Sequence, residues 1–258
     1  MTENLFSLEG RVALVTGGNG GIGLGIARGF RDAGATVALA GRNPDKNAAV
    51  AEEFGADHGV YELDVRDEAA VEATVAQIVE RFGRLDVLVN NAGQFIGGSV
   101  LEMKLDDWNA VIGTHLTGSM LCAKHAARAM VAAGRGGKII NIASMYSVYG
   151  AINGADYASA KTGILGLTRS HAAELGPENI QVNAILPGWI LTDMTGELPD
   201  SKRGENIVRK TPAGRWGESH DLAGTAVFLA SAASDFVSGV AIPVDGGFSI
   251  TERFYPED

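Results

Sequence analysis

The sequence holds a single cysteine, Cys122, among 258 residues, which excludes an intrachain disulfide framework and a cysteine-built metal site. In its apolar neighbourhood Cys122 is expected to be a small buried hydrophobe. Proline is sparse, at 7 against 35 glycines, so neither a collagen-like nor a proline-rich disordered chain fits. Positive charge is in deficit: 21 Lys and Arg face 31 Asp and Glu, a formal charge of -10, which opposes nonspecific attraction to nucleic-acid phosphates or anionic lipid headgroups. No apolar run reaches the ~18 residues of a membrane span. The stretch that begins at Met1 lacks the basic and apolar regions of a signal peptide. These absences predict a soluble, cytoplasmic protein with no metal, no nucleic-acid partner and no membrane partner.

With 46% hydrophobic and 20% charged residues the composition is that of a globular chain large enough to bury a sizeable core. Short apolar runs alternate with longer amphipathic stretches: strands over Arg11–Thr16, Thr36–Gly41, Val60–Asp64 and Leu85–Asn90 are separated by helices over Ile22–Ala33, Pro44–Phe54 and Glu68–Phe82. The rhythm continues through a helix over Asp106–Ala133, a strand Lys138–Ala143, a helix Asp156–Leu175, a strand Ile180–Leu186, a helix Glu218–Ser231 and a last strand Val240–Val244. Repeated right-handed crossovers predict a doubly wound parallel sheet in a single α/β domain over 1–258. Gly34, Gly55, Gly83 and Gly176 each follow a helical pattern and are expected to end it in a left-handed turn. The arrhythmic stretch Thr192–Gly217, with a short helix expected in its middle, has the length of a lid.

Directly after the first strand stands Thr16-Gly17-Gly18-Asn19-Gly20-Gly21-Ile22-Gly23. Glycines at such a strand-to-helix turn let backbone N–H groups approach a pyrophosphate, whose charge the helix N-terminus favours. The Gly-Lys-Ser/Thr ending of a nucleoside-triphosphate loop is absent. At the end of the second strand, where an acidic residue would hold a ribose 2′-hydroxyl, the sequence has Gly41-Arg42. Arg42 can offer a guanidinium to a 2′-phosphate, which favours NADP(H) while leaving NAD(H) open. It can equally stack on adenine or face solvent.

Farther on lie Asn90-Asn91-Ala92-Gly93, Ser144, Tyr157-x-x-x-Lys161, Pro187-Gly188 with Thr192, and Val244-Asp245-Gly246-Gly247. In a helix from Asp156 onward, Tyr157 and Lys161 share one face. Together with the glycine-rich turn these motifs span nearly the whole chain, and their pattern resembles the short-chain dehydrogenase/reductase family. The first motif and Pro187-Gly188-Trp189 are broadly similar to its gluconate and deoxygluconate dehydrogenases.

The resemblance implies a single-domain Rossmann fold with a seven-stranded parallel sheet, a homotetramer or homodimer, and hydride transfer between nicotinamide C4 and a small secondary alcohol or ketone. It makes Tyr157 the acid or base, Ser144 the hydrogen-bond partner of the reacting oxygen, and Lys161 the group that holds the nicotinamide ribose. Lowering a tyrosine to near neutrality takes ~4 kcal/mol of differential stabilisation, which Lys161 and an oxidised nicotinamide can supply. Cofactor contacts are implied for Gly17, Asn19, Gly21, Ile22 and Gly23 at the phosphates and for Arg42, Asp64 and Val65 at the adenosine. They are likewise implied for Asn91, Ala92 and Gly93 beside the ribose, for Tyr157 and Lys161, and for Pro187, Gly188, Ile190 and Thr192 at the nicotinamide.

His115 departs from the family, which usually has asparagine there to support a water relay to the lysine. A histidine can fill that place through its ring or its backbone carbonyl, or pack as a core residue.

The expected pocket wall, with Gln94, Phe95, Tyr146, Tyr149, Trp189 and Met194, suits a polyol, a sugar acid or a cyclic ketone. Arg203 and Arg209 in the lid can meet a substrate carboxylate or remain solvated. Two rivals stay open. A 3-oxoacyl-thioester reductase would carry a basic patch for its carrier protein, and no strong basic run is present. A non-catalytic nucleotide-binding regulator has His115 alone in its favour.

Overall fold

The computed structural model describes residues 4–250. Seven strands form one parallel sheet in the order β3-β2-β1-β4-β5-β6-β7. They are β1 Val12–Thr16, β2 Thr36–Gly41, β3 Gly59–Glu62, β4 Val87–Asn90, β5 Gly137–Ile142, β6 Ile180–Pro187 and β7 Ala241–Val244. The order reverses between β1 and β4, so the crevice for a ligand opens above the carboxyl ends of those two strands.

Both faces of the sheet are covered, which is why the central strands read as unbroken apolar runs. Alternate residues of β1 divide between the two cores. Ala13 and Val15 pack with Ile26 and Phe30 of α1 (Gly21–Asp32), Val50 of α2 (Pro44–Phe54) and Ala226 and Leu229. Val12 and Leu14 face the opposite layer with Val71, Val75 and Ile78 of α3 (Glu68–Phe82) and Cys122, Ala126 and Met130. Cys122 is buried, and burial pushes its thiol up to about 12. Among the described residues no helix is long and apolar enough to cross a membrane.

The helix expected over Asp106–Ala133 is interrupted. It runs as α4 (Leu105–Ile112), a π-helical turn Gly113–Thr117 and α5 (Gly118–Ala133). Helix-weak glycine and threonine occupy the turn, and the Thr114 hydroxyl returns to the Ala110 carbonyl at 2.8 Å, competing with the regular ladder. The turn carries His115 inward, to 2% exposure.

Downstream come α6 (Ala155–Leu175), α7 (Lys202–Lys210) inside the expected lid stretch, and α8 (Ala223–Ala230). Residues 219–222 form a tight turn rather than the first part of α8. Gly83 ends α3 in the left-handed region at φ 75°. Gly176 does not play that part for α6: its φ is -54°, and the chain makes one more 3₁₀ turn before Asn179 takes the left-handed conformation at φ 56°. Strand β3 stops at Glu62, which puts Asp64 in the loop beyond it.

Candidate active site

The crevice is stitched shut at its base by two polar side chains. Thr16 Oγ1 donates to the Val89 carbonyl at 3.1 Å and accepts the N–H groups of Asn91 and Ala92 at 3.0 and 3.1 Å. Asn91 Nδ2 donates back to the carbonyls of Thr16 and Gly17, both at 3.0 Å. A Cβ on Gly23 would stand 2.3 Å from the Gly17 carbonyl oxygen, and Gly17 itself has φ +62°, so both positions require glycine. Gly20 caps α1 with no side-chain hydrogen bond, and no acidic residue lies in the first turn that holds Gly21 and Ile22. The first N–H groups of α1 are therefore available to an anion, and this cradle fits the pyrophosphate of a dinucleotide.

Asn19 turns away from the loop, donating to Asn47 Oδ1 at 2.7 Å. It fills the space beside Gly41, where a Cβ would lie 2.2 Å from its Nδ2. Gly41 is thus a packing requirement as well as the removal of an acid. Arg42 is half-exposed, with Asp64 Oδ2 at 4.0 Å. Asp64 is held below the usual carboxylate range by the Arg66 guanidinium, which reaches both of its oxygens at 3.0 and 3.1 Å. Val65 is buried beneath, where a Cβ on Gly118 would meet it at 2.6 Å.

The far wall comes from the end of β6. Pro187 pairs with Val244, Gly188 donates to the Val244 carbonyl at 2.9 Å, and Ile190 is buried and bridged to Gly217. Thr192 approaches the glycine-rich turn, 3.2 Å from where a Gly21 Cβ would stand. Next to it Asp193 pairs with Lys46 Nζ at 2.5 Å, tying this loop to α2. Sequence reading gave no sign of that pair.

Ser144, Tyr157 and Lys161 converge. Ser144 follows β5, and its Oγ accepts the Tyr146 N–H at 3.1 Å. Ser147 fixes that turn by donating to the Lys161 carbonyl at 2.7 Å. Lys161 Nζ donates to the Ile142 carbonyl at 2.5 Å and lies 5.6 Å from the centroid of the Tyr157 ring. Burial pushes Tyr157 up to about 12 against the opposing pull of the Ser144 hydroxyl, and burial drives Lys161 down to about 7. The protein's own groups therefore hold Tyr157 as a neutral phenol at neutral pH. Desolvation of the phenolate outweighs that pull, so the expected lowering of Tyr157 is not present in the protein alone.

His115 packs against this trio. Its ring meets Tyr157 edge-on at 5.2 Å between centroids, and a Cβ on Gly93 would stand 2.3 Å from its Cε1. Nε2 lies 2.7 Å from the Gln94 carbonyl and 3.1 Å from the Gln94 N–H, while Nδ1 is buried without a partner. Burial first, then the charge of Lys161, drives it down to about 3, so the ring is neutral throughout the physiological range. The Ser119 hydroxyl occupies its backbone carbonyl at 2.6 Å.

Above the trio stands an aromatic wall: Tyr146 is 6.3 Å from Tyr157 and 6.1 Å from Trp189, and Trp189 is 6.5 Å from Phe248. Two cations of α7 lie on it, Arg203 at 5.6 Å from the Trp189 ring and Lys210 at 4.1 Å from the Phe248 ring. Among the described residues neither has an acidic partner. Of the two arginines expected there, Arg203 lies on the wall, and Lys210 rather than Arg209 is the second cation on it.

A family profile described as enoyl-(acyl carrier protein) reductase matches residues 17–249. The chain is 41% identical over 252 residues to the 2-dehydro-3-deoxy-D-gluconate 5-dehydrogenase of Escherichia coli, covering 96% of this chain and 99% of that one. It is 38% identical to a 3-oxoacyl-[acyl-carrier-protein] reductase of Thermotoga maritima, covering 94% and 99%. Its structure superposes with a TM-score of 0.92 and 39% identity on a gluconate 5-dehydrogenase from Burkholderia cenocepacia in complex with NADP and tartrate, covering 96% and 98%.

Proposed function

Since the chain belongs to the short-chain dehydrogenase/reductase family and is a nicotinamide-dependent oxidoreductase acting on CH–OH groups, we propose that its substrate is a small polyhydroxy carboxylic acid and its preferred cofactor NADP(H). The observation that carries the substrate class is the pair of cations on the aromatic wall. Arg203 and Lys210 of α7 lie over the Trp189 and Phe248 rings without acidic partners among the described residues. Residues 192–217 act as the lid that brings them over the substrate. A carboxylate between them would gain charge-assisted hydrogen bonds, while the aromatic faces would cover its carbon chain. The names of the gluconate-type relatives agree with this reading.

Arg42 supports the cofactor preference, because its guanidinium is half-exposed at the end of β2 with one distant acidic neighbour. When bound, the nicotinamide supplies or accepts the hydride at the substrate carbon. Tyr157 gives the proton to the substrate oxygen in carbonyl reduction, a task matched to a neutral phenol, and takes it in alcohol oxidation. Ser144 holds that oxygen, and Lys161 binds the ribose and, while protonated, supplies positive charge beside the phenol. His115, neutral and engaged with Gln94, is a packing and positioning group.

We also assign a homotetramer. A groove of about 480 Å³ between α5 and α6 has an apolar floor with Ala123, Ala127, Val131 and Leu175 and carries Lys124, Arg128, His171 and Glu174 beside it. A second apolar face lies beside β7, at exposed Phe236 and Val240. A two-fold axis through each would generate a closed tetramer.

The substrate assignment is tested by kcat/KM for an aldonic acid and for the neutral polyol of the same length with NADP+. The expected result is at least a hundredfold preference for the acid, with Lys210→Met raising KM for the acid tenfold or more and leaving the polyol unchanged. Equal turnover of acid and polyol would overturn it, and faster reduction of a 3-oxoacyl thioester would favour the carrier-protein alternative.

A further inference from the structure

We propose that Asp156 is a positioning residue that sets substrate specificity by fixing Phe95 against Tyr157; the inference rests on the reading that substrate reacts at Tyr157. Asp156 lies in the first turn of α6 with 0% exposure, and among the described residues no cation pairs with it. Its Oδ1 accepts the Tyr157 N–H at 2.7 Å and its Oδ2 accepts the Gly97 N–H at 3.2 Å. The first bond serves the helix, whose cap residue Gly154 has no side chain to offer. The second reaches to a loop distant in sequence. One acceptor suffices to cap a helix, and serine or asparagine provides it without burying a carboxylate. The second oxygen therefore belongs to the loop.

The loop is held along its length. Gly98 donates to the Asn153 carbonyl at 2.8 Å, next to the bridge between Gly98 and Gly154. Gly97 has φ +71°, and a Cβ there would press on the Asn153 oxygen at 2.7 Å and the Phe95 ring at 2.8 Å. At the other end His115 grips the backbone of Gln94 and the Gln94 amide donates to the Ala110 carbonyl at 3.1 Å. Between these clamps Phe95 meets Tyr157 edge-on at 5.6 Å between centroids while half of it stays exposed. Phe95 so stands against the same Tyr157 ring that Tyr146 meets at 6.3 Å and forms part of the wall there. A substrate presenting a C–H face to that side is favoured, and one presenting a charge there is refused.

The test is a double-mutant cycle between Asp156→Asn and Phe95→Ala. Asparagine keeps the size and one acceptor but turns an NH2 donor toward one of the two N–H groups. We expect each single variant to raise substrate KM about tenfold with kcat within threefold and cofactor Kd within twofold. The double variant is expected to be no worse than either single one, because both remove the same wall. A hundredfold rise in the double variant, or an Asp156→Asn effect confined to kcat or cofactor binding, would overturn the proposal. The cycle is run on whichever carbonyl substrate the wild type turns over, so failure of the acid assignment shows separately, as absence of acid turnover. If Asp156→Asn does not fold, amide exchange of the wild-type protein decides. The Gly97 N–H should exchange at least a hundredfold more slowly than that of exposed Val100, and equal rates would overturn the clamp.

Discussion

Lys161 Nζ stands 2.5 Å from the carbonyl oxygen of Ile142, the last residue of β5. Among the described residues no carboxylate is within ion-pair reach of this buried ammonium, so its charge is stabilised by dipoles alone, and burial brings it from the ordinary lysine value down to about 7. The unfolded chain then binds more protons at this site than the folded one between pH 7 and the ordinary lysine value near ~10.4. Wild-type stability gains with pH across that window by up to ~1.4 kcal/mol per pH unit, and below about 7 the full cost remains. Lys161→Met is expected to be inactive and more stable than wild type at pH 7, with the difference closing as pH rises toward 10. Urea unfolding at several pH values checks this; a constant difference, or a less stable variant at pH 7, would contradict it.

Gly41→Ala is expected to weaken binding of both NADPH and NADH at least tenfold, because its Cβ would stand 2.2 Å from Asn19 Nδ2 and push that side chain into the cofactor cleft. An acid introduced at this position should not convert the enzyme to NADH for the same reason. Fluorescence titration of the two cofactors separates this outcome from a simple change of preference, in which one affinity falls and the other rises.

Arg42→Ser is expected to weaken NADPH binding about tenfold, ~1.4 kcal/mol, and to leave NADH binding within twofold. Equal losses for the two cofactors would place Arg42 on the adenine instead of the 2′-phosphate.

What was legible in the sequence was local. The glycine-rich turn, the Tyr157–Lys161 spacing and the strands announced themselves because each is set by residues within one element. Pairs brought together by the crossovers were not legible: Lys46 and Asp193 are 147 positions apart, and Asp156 reaches Gly97 across 59. Nor was the π turn at Gly113–Thr117, since one extra residue scarcely changes a helical pattern. His115 stood out as a departure, but its packing on Tyr157 and its contact with Gln94 became visible only in the fold.

Because burial drives His115 down to about 3, its ring keeps one charge state from pH 5 to 8. His115→Asn is therefore expected to leave the shape of the pH profile between pH 5 and 8 unchanged. His115→Ala should raise substrate KM about tenfold by freeing Gln94 and cost about 2 kcal/mol of stability through the cavity left beside Tyr157. Loss of an inflection in the His115→Asn profile would show instead that the ring titrates during turnover.

In the proposed mechanism Tyr157 moves the proton while the cofactor is held chiefly by other groups. The most direct test of that role is Tyr157→Phe, assayed for single-turnover carbonyl reduction and for NADPH binding on the same preparation. The chemical rate is expected to fall at least a thousandfold, ~4 kcal/mol, with NADPH affinity within threefold of wild type. A variant that keeps more than a tenth of the wild-type rate would contradict that role.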